Sequence, residues 1–508
     1  MSGGPAGVNE SRVISAPFRR LVDPSARGSL DLHVVRPWES ADDEALVEGC
    51  LEGDEEVWAA LAGRHGSFVR ATVVRLLDAP DAEDPDPLLE RVWGSLRRPD
   101  GPLRRWSGGC QLRSFLGLFA RQVARQGAAS DPGTALAAAT TPNGLYLDDL
   151  GISGPLLRVE GILGKLPPNV ASLVRMRVRG LSRGDMAATL GRSPATVLAN
   201  LERIASRLAS EDDPELSSRC YRVLLDAADI PERVDLALRS EQDPDVARVR
   251  SAVDVTWRAV GERALGRSAP GGDGCLEDHA MAGFVDGTLR GAGRARAEGH
   301  VATCARCIDE AAALVLDLRV QSCLRDAAGL DDRVAVAAAC VATLRFGAAA
   351  RLIERARQRG ADGALVAALE RLAQAGQLLD GGHATRGRGS QVVATRVPSH
   401  EEAPLVAFEA LVRGDPRGAV RAIDDRMALQ GLGARLRLLA AATSDLEQAR
   451  EMAETWLDSP RIDPSRTLDA RAVLALPPGR ALPREILAER LRDVLPEAVR
   501  FIVSRARS

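Results

Sequence analysis

The chain has 508 residues, of which 45% are apolar, and it carries a net charge of −3. This length exceeds what one hydrophobic core supports, so we expect about three or four domains. The charge excludes a globally basic nucleic-acid coat, although one domain can still present a basic face. Eight cysteines spread over the chain do not suggest a disulfide framework, so we expect a cytoplasmic protein.

The N-terminal segment 1–40 is predicted to form a disordered tail. It is rich in Pro, Gly, Ser and Arg and lacks the apolar run of a secretion signal. The longest uncharged apolar stretch, residues 334–344, is shorter than the roughly 18 residues that a membrane span needs. We therefore expect neither export nor membrane association.

Residues 44–77 predict two amphipathic helices, with breaks at Gly53 and at the Arg-His-Gly turn of residues 64–66. An acidic linker that contains Pro85 and Pro87 follows. Because proline cannot continue a helix interior, we expect these prolines to interrupt a helix.

Residues 106–126 predict a helix with two different stripes. The apolar stripe contains Leu112, Phe115, Leu116, Phe119 and Val123. The positive stripe contains Arg113, Arg121 and Arg125, and Trp106 lies at the entry to the helix. An aromatic ring stacks on an unpaired base and arginine holds its phosphate, so Trp106 and the three arginines are candidates for binding a separated DNA strand. A solvated charged face with a half-buried Trp106 is the alternative.

Residues 166–208 predict a helix-turn-helix. Ser182 and Asp185 can form a capping box, Gly191 allows a sharp turn, and Ser193-Pro194 can begin the second helix. An apolar stripe at helical spacing contains Val197, Leu201, Ile204 and Leu208. The opposite face, available to solvent or DNA, contains Thr196, Asn200, Arg203 and Arg207. A plain helical hairpin shares much of this pattern and stays an alternative.

The stretch HVATCARC, which begins at His300, predicts a metal site. On one helix His300, Cys304 and Cys307 would share a face, at spacings of four and three. Structural zinc takes four nitrogen or sulfur ligands, so a fourth must come from elsewhere. Cys275 is the favoured fourth ligand and His279 is its rival. The interpretation without metal is two small buried cysteines and a surface histidine.

Residues 325–508 show helical periodicity without strand alternation. The segments 407–423 and 437–453 align with each other. The alignment matches Ala410 with Ala440, Asp415 with Asp445 and Ala419 with Ala449. The pattern resembles tetratricopeptide hairpins, although the spacing is shorter than their usual period of about 34, and a plain helical bundle is the alternative. Residues 378–400 are a predicted loop. We find no Gly-rich phosphate loop, metalloprotease motif or nucleophile elbow, so we expect no enzyme.

Residues 275–307 resemble the zinc-binding anti-sigma domain, with a first ligand, an Asp-Gly turn between two helices and a terminal HxxxCxxC. The resemblance implies a small helical domain that folds around zinc and hides the polymerase-binding surface of a sigma factor. Residues 44–126 resemble region 2 of extracytoplasmic-function sigma factors of the sigma-70 family, which binds polymerase and melts the −10 element. Residues 166–208 are similar to region 4, whose second helix binds the −35 element. Leu198, Ala199 and Asn200 depart from the basic residues that are usual there.

Together these features predict an all-α sigma factor with a fused zinc domain that inhibits it. Core RNA polymerase, promoter DNA and a protein partner of the C-terminal domain are the expected partners. A non-DNA-binding regulatory scaffold with degenerate sigma-like domains is the alternative, and a zinc hydrolase is less favoured because four ligands leave no position for water. The predicted segments are 1–40 (tail), 41–127 (region 2-like), 128–155 (linker), 156–212 (region 4-like), 213–270 (helical connector), 271–324 (zinc-binding) and 325–508 (helical, tetratricopeptide-like or bundle).

Overall fold

The protein is all-α, as predicted, in the part of the chain that the structure describes. The structure is a computed structural model, and its described residues contain 23 α-helices and no strand. The described residues are 38, 40–76, 85–129, 153–266, 275–327, 330–361, 363–380, 402–423, 431–459 and 463–506.

Four helices form the first segment: α1 (Asp43–Glu52), α2 (Glu55–Leu76), α3 (Pro85–Leu96) and α4 (Leu112–Ala129). The predicted break at Gly53 is confirmed, since this glycine ends α1 with a φ of 88°. The predicted break at residues 64–66 is wrong, because α2 is continuous there. His65 is buried in this helix and contacts the Asp43 carboxylate at 3.3 Å, so this part of α2 packs against the start of α1.

The two prolines of the acidic linker begin a helix. Pro85 and Pro87 lie in the first turn of α3, where a missing N–H is tolerated because that group has no partner within the helix. These prolines were expected to interrupt a helix, and instead they lie at the beginning of one. Residues 77–84 lie outside the described part of the chain.

Seven helices form the second segment: α5 (Ser153–Gly164), α6 (Pro168–Val178), α7 (Arg183–Thr189), α8 (Pro194–Leu208), α9 (Pro214–Leu224), α10 (Ile230–Gln242) and α11 (Pro244–Gly266). Helices α7 and α8 have the caps and the turn that were predicted for the helix-turn-helix segment. Ser182 and Asp185 form the capping box, and Ser193 caps α8 with Pro194 in its first turn. Gly191 turns the chain with a φ of 60°, and the four predicted apolar residues of α8 are buried.

The predicted metal-binding segment forms three helices, α12 (Asp278–Val285), α13 (Gly291–Thr303) and α14 (Ala305–Asp326), which we call the metal module. The module shares one hydrophobic core with both preceding segments. Phe284 and Ile308 of the module lie in the same buried cluster as Phe115 of α4 and Leu173 of α6. The module is thus packed between the two segments.

The remaining helices are α15 (Asp332–Ala342), α16 (Phe346–Gln358), α17 (Gly363–Asp380), α18 (Ala403–Val412), α19 (Pro416–Ala422), α20 (Gly431–Ser444), α21 (Leu446–Leu457), α22 (Pro464–Leu474) and α23 (Arg484–Arg505). The apolar run at 334–344 contributes α15, which is almost entirely buried. Most of the predicted loop at 378–400 lies outside the described residues, and α17 extends to Asp380.

The repeat found in the C-terminal sequence corresponds to two helical hairpins. Asp415 and Asp445 cap the second helix of each hairpin through the N–H groups of Gly418 and Gln448. Ala419 and Ala449 are both fully buried at 0% exposure, as small residues at a helix crossing must be. The sequence repeat therefore marks equivalent structural positions.

The C-terminal helices also pack against the first segment. Phe68 of α2 belongs to the core formed by α15 and the helices after it. Ser67 donates a hydrogen bond to Asp332 at 2.7 Å, and Arg333 pairs with Asp86 at 2.9 Å. Helix α2 therefore lies between two cores, with the metal module and α4 on one side and the C-terminal helices on the other.

Candidate metal centre and its contacts

Four side chains from the metal module converge on one point. The ligand atoms of Cys275, His300, Cys304 and Cys307 all lie within 4.8 Å of one another. The two sulfurs of Cys275 and Cys304 are 3.9 Å apart, and His300 Nε2 lies 3.2 Å from Cys307 Sγ. Ligands about 2.3 Å from a tetrahedral zinc are separated by roughly 3.7 Å, so this spacing fits a metal ion.

The local backbone differs from the single helix expected for His300 to Cys307. His300 lies in the last turn of α13, and Cys307 lies in the first turn of α14. Cys304 joins the two helices in an extended conformation, with φ −92° and ψ 108°. The ligands converge because the chain bends at Cys304 and not because they share one helical face.

The start of α14 favours a thiolate at Cys304. Burial opposes ionisation, but hydrogen bonds from the backbone N–H groups and the thiol at Cys307 hold the pKa of Cys304 below its ordinary value. The deeper Cys307 behaves differently, since burial raises its pKa to about 12. A bound cation would favour the thiolate form at both positions.

Cys275, and not His279, completes the cluster. His279 Nδ1 contacts Glu277 at 3.3 Å on the surface and lies outside the four-residue group. A set of three sulfurs and one imidazole nitrogen is typical of structural zinc sites. The residues therefore fit a metal ion that would join the start of α12, the end of α13 and the start of α14.

The first segment contacts the module at the turn between α12 and α13. Asp286 accepts a hydrogen bond from the backbone N–H of Gln111 at 2.8 Å, and Thr288 donates to the carbonyl of Gly109 at 3.1 Å. A Cβ at Gly283 would meet the same Gly109 carbonyl at 3.1 Å, so this close approach favours glycine. The Asp-Gly turn thus holds the loop that precedes α4.

Helix α14 places acidic side chains against α2 and α4. Asp317 is 1% exposed and contacts Arg75 at 2.5 Å and Arg121 at 3.1 Å. Glu310 pairs with Arg121 at 2.8 Å. Burial raises the pKa of Asp317, and the two guanidinium groups oppose that shift. These buried ion pairs form what we call the α2/α4 face of α14.

The prediction that Arg121 belongs to an exposed positive stripe is wrong. Arg121 is only 5% exposed and both its partners lie on α14. Arg121 was expected to face solvent because it lies outside the apolar stripe of α4. Arg121 is buried nonetheless, because α14 supplies two carboxylates that neutralise it.

The opposite side of α14 contacts the helix-turn-helix, and we call it the helix-turn-helix face. Asp309 pairs with Arg179 at 2.7 Å and lies 3.6 Å from Arg175. Arg175 lies in the last turn of α6, and Arg179 directly follows this helix. Arg319 pairs with Asp185, the residue that completes the capping box of α7. The module also reaches α7 through α13, where Arg294 donates to the Thr189 carbonyl at 3.1 Å.

The other described side chains that were predicted to bind DNA are more exposed than Arg121. Trp106 is half-buried and donates its indole N–H to the Cys110 carbonyl at 2.9 Å. Arg113 is half-buried, and the side chain of Arg125 lies outside the described part of the structure. On α8, Thr196, Arg203 and Arg207 are exposed and Asn200 is half-exposed. The solvent face predicted for α8 is therefore present.

Sequence reasoning missed the charged contacts of α14. Glu310 precedes Asp317 by seven residues, or about two helical turns, which brings these two carboxylates to one face of a helix, whereas Asp309 lies about a quarter of a turn away. That spacing is a usable signal of an acidic stripe. Their arginine partners are distant in the sequence, as for Arg75 and Asp317, and nothing in the sequence pattern pairs them.

No protein-family model, curated protein or solved structure matches this chain. None of the described helices combines the length and the apolar character needed to cross a lipid bilayer. Any functional interpretation therefore depends on the residues and contacts above.

Proposed function

We propose that the chain is a sigma-type promoter-recognition factor whose zinc-bound module holds its two sigma-like segments in an inactive arrangement. The observation that carries this proposal is α14, which contacts α2 and α4 on one side and α6 and α7 on the other through ion pairs. A sigma factor must present both segments to polymerase and DNA at once. A helix inserted between them prevents that arrangement.

Charge complementarity supports a regulatory role for the contact. Arg75 and Arg121 are basic side chains on the region 2-like segment, and basic side chains there suit polymerase or nucleic acid. In this structure Asp317 and Glu310 occupy them. The carboxylates of α14 therefore take the place that a competing acidic partner would need.

Zinc is the proposed metal. Four protein ligands leave no open position for water, so the ion would stabilise the module and take no part in hydrolysis. Since the ligands come from the segment before α12, the end of α13 and the start of α14, metal binding would set the angle at which α14 leaves α13. The metal would thereby position both faces of α14.

The exposed face of α8 supports the DNA-binding part of the proposal. Arg203 and Arg207 lie on a described surface that the module leaves open. Each arginine can neutralise one phosphate, so Arg203→Ala and Arg207→Ala should each weaken promoter binding and reduce the salt slope by about one. The check is a binding titration at several salt concentrations with reconstituted holoenzyme.

A regulatory scaffold without DNA binding is the second candidate. Leu198 packs against the core and Asn200 donates to the Thr196 carbonyl at 2.9 Å, so this part of α8 offers few free polar groups. One reconstitution experiment distinguishes the two candidate functions. Full-length protein and an Asp317→Asn variant are tested for capture of core RNA polymerase and for selection of a promoter from a random DNA library.

The proposal expects weak capture of polymerase by the wild type, stronger capture by Asp317→Asn, and selection of a two-element promoter. Asp245→Asn is the matched control, because the one side-chain contact of Asp245 in the described structure is an exposed pair with Arg248. Polymerase capture without any selected DNA sequence would favour the scaffold. Failure of both proteins to capture polymerase would exclude the sigma function.

A further inference from the structure

A cavity lies where the helix-turn-helix segment meets the C-terminal helices. Its volume is about 680 Å³, which is within the usual range for small-molecule sites. Arg183 lines it from the start of α7, Ile230 and Arg233 from α10, Arg471 from α22, and Arg490 from α23. The cavity is therefore formed jointly by parts of the chain that are distant in the sequence.

The acidic residues of this cavity are already engaged. Asp226 accepts the backbone N–H of Arg183 at 3.0 Å and a guanidinium N–H of Arg233 at 2.6 Å. Glu489 accepts from Arg233 at 3.1 Å and from Arg490 at 2.7 Å. Asp229 caps α10 by accepting the N–H of Glu232 at 2.9 Å. These carboxylates therefore hold the walls together.

Two guanidinium groups of the cavity are unpaired. Among the described residues, neither Arg183 nor Arg471 has a side-chain hydrogen bond or an ion pair. Arg490 is only 6% exposed, and its Nη1 has no hydrogen-bond partner in the described structure. Buried polar groups normally have partners, so an unpartnered buried guanidinium nitrogen indicates that an acceptor is missing.

Apolar side chains complete the lining. Ile230, Pro231, Leu474 and Leu468 face the same cavity, and Leu468 is 40% exposed although it is a large apolar residue. A free inorganic anion would leave this apolar surface in contact with water. The lining thus suits a molecule that has both negative charge and an apolar body.

We propose that this cavity binds a small organic anion that carries two acidic groups, carboxylate or phosphate, on an apolar body. One acidic group pairs with Arg183 and the other with Arg471, and the body covers Leu468 and Leu474. The ligand bridges the first helix of the helix-turn-helix and the C-terminal helices. Binding therefore stabilises the arrangement in which these two parts are docked.

The position of Asp226 links the cavity to α7. This residue has a φ of 61°, a left-handed conformation that is uncommon outside glycine, and its carboxylate holds the first N–H of α7 and Arg233 together. An anion beside Arg183 acts directly at that junction. Ligand binding itself does not depend on the proposed sigma function, whereas an effect on promoter recognition rests on it.

The test is a calorimetric titration of the full-length, metal-loaded protein with phthalate and with 1,2-phenylene bisphosphate, which carry two carboxylates and two phosphates on the same apolar ring. Dimethyl phthalate is the matched neutral probe, and inorganic phosphate is the probe without an apolar body. We expect saturable binding of at least one aromatic anion, no binding of the neutral ester and at least about tenfold weaker binding of inorganic phosphate.

The variant Arg183→Gln/Arg471→Gln should bind the aromatic anion at least about tenfold more weakly, since it loses charge-assisted hydrogen bonds. Arg239→Gln/Arg417→Gln removes the same charge from exposed positions outside the cavity and should bind like the wild type. Arg471→Gln alone, at an exposed residue, keeps the test valid where the double variant fails to fold. Absence of saturable binding by the wild type, equal binding by the folded Arg471→Gln variant, or equal affinity for inorganic phosphate would overturn the proposal.

Discussion

The two faces of α14 hold their arginine partners in different environments. On the α2/α4 face, the side chain of Asp317 is 0% exposed and those of Arg75 and Arg121 are 8% and 6% exposed. On the helix-turn-helix face, Arg179 is 29% exposed and Arg319 is 40% exposed. Breaking a buried pair leaves an uncompensated charge, whereas an exposed pair is partly replaced by water. The helix-turn-helix face should therefore separate first.

Because of this difference in exposure, the two contacts of α14 should respond differently to salt. Salt screens pairs that water can reach and acts much less on pairs that are buried. Higher ionic strength should thus weaken the contact of α14 with α6 and α7 before it weakens the contact with α2 and α4. Under the proposed function, the helix-turn-helix would be released while the region 2-like segment is still held.

Loss of the metal should remove both contacts together, and it is the largest effect we expect. Cys304→Ala deletes the ligand at the bend between α13 and α14, so the protein should lose about one metal ion per chain and α14 should lose its fixed direction. Metal content is measured by mass spectrometry and the melting temperature by calorimetry. Both should fall relative to the wild type.

Two further variants test the ligand assignment. Cys307→Ala should behave like Cys304→Ala, and full metal retention by both would exclude the site. Cys323→Ala is the matched control, since Cys323 lies outside the four-residue group. Retention of metal by Cys275→Ala alone would give the fourth position to His279.

Asp317→Asn should break the α2/α4 face selectively. Removing one partner of a buried pair costs about 3 to 5 kcal/mol of unfolding free energy, because Arg75 keeps its buried charge without the carboxylate of Asp317 and Arg121 retains only Glu310. Chemical denaturation measures the loss. Asp245→Asn, which affects a pair with side chains 83% and 75% exposed, should change stability by less than about 1 kcal/mol. Equal effects of the two substitutions would show that the burial of Asp317 is unimportant.

Asp309→Asn should act on the other face and have a smaller effect. Asp309 is largely buried, but Arg175 and Arg179 can turn toward solvent, so we expect a loss of about 1 to 3 kcal/mol. Hydrogen exchange resolves where the loss occurs. Amides of α6 and α7 should exchange faster while those of α4 stay protected, and faster exchange throughout α4 would contradict the independence of the two faces.

For the helix-turn-helix segment and the metal module, local sequence patterns predicted the helices and turns better than the contacts between them. The capping box of Ser182 and Asp185, the turn at Gly191 and the buried stripe of α8 depend on residues that are close in sequence. The HxxxCxxC spacing likewise predicts His300, Cys304 and Cys307 of the candidate metal centre, with Cys275 favoured over His279 as the fourth residue.

The contacts of α14 could not be predicted in the same way. Arg121 has the same local pattern whether it faces solvent or a carboxylate, and the carboxylate of Asp317 comes from a distant part of the chain. The bend at Cys304 was missed for a related reason. An HxxxCxxC spacing fits one continuous helix as well as two helices joined at Cys304, so the spacing alone does not distinguish them.

Arg319→Gln should have the smallest effect and is the finest test of the difference between the two faces. Arg319 is 40% exposed, and Asp185 keeps its bonds with Ser182 after the substitution. The loss should be at most about 1 kcal/mol at low salt and should disappear at about 1 M salt, where the screening length is roughly 3 Å. Denaturation at both salt concentrations measures it, with Arg296→Gln, an exposed residue on α13, as the control. If the loss of unfolding free energy is the same at high salt, the pair of Arg319 and Asp185 is shielded from water as Asp317 is. The order in which the two faces of α14 separate would then no longer follow from their exposure.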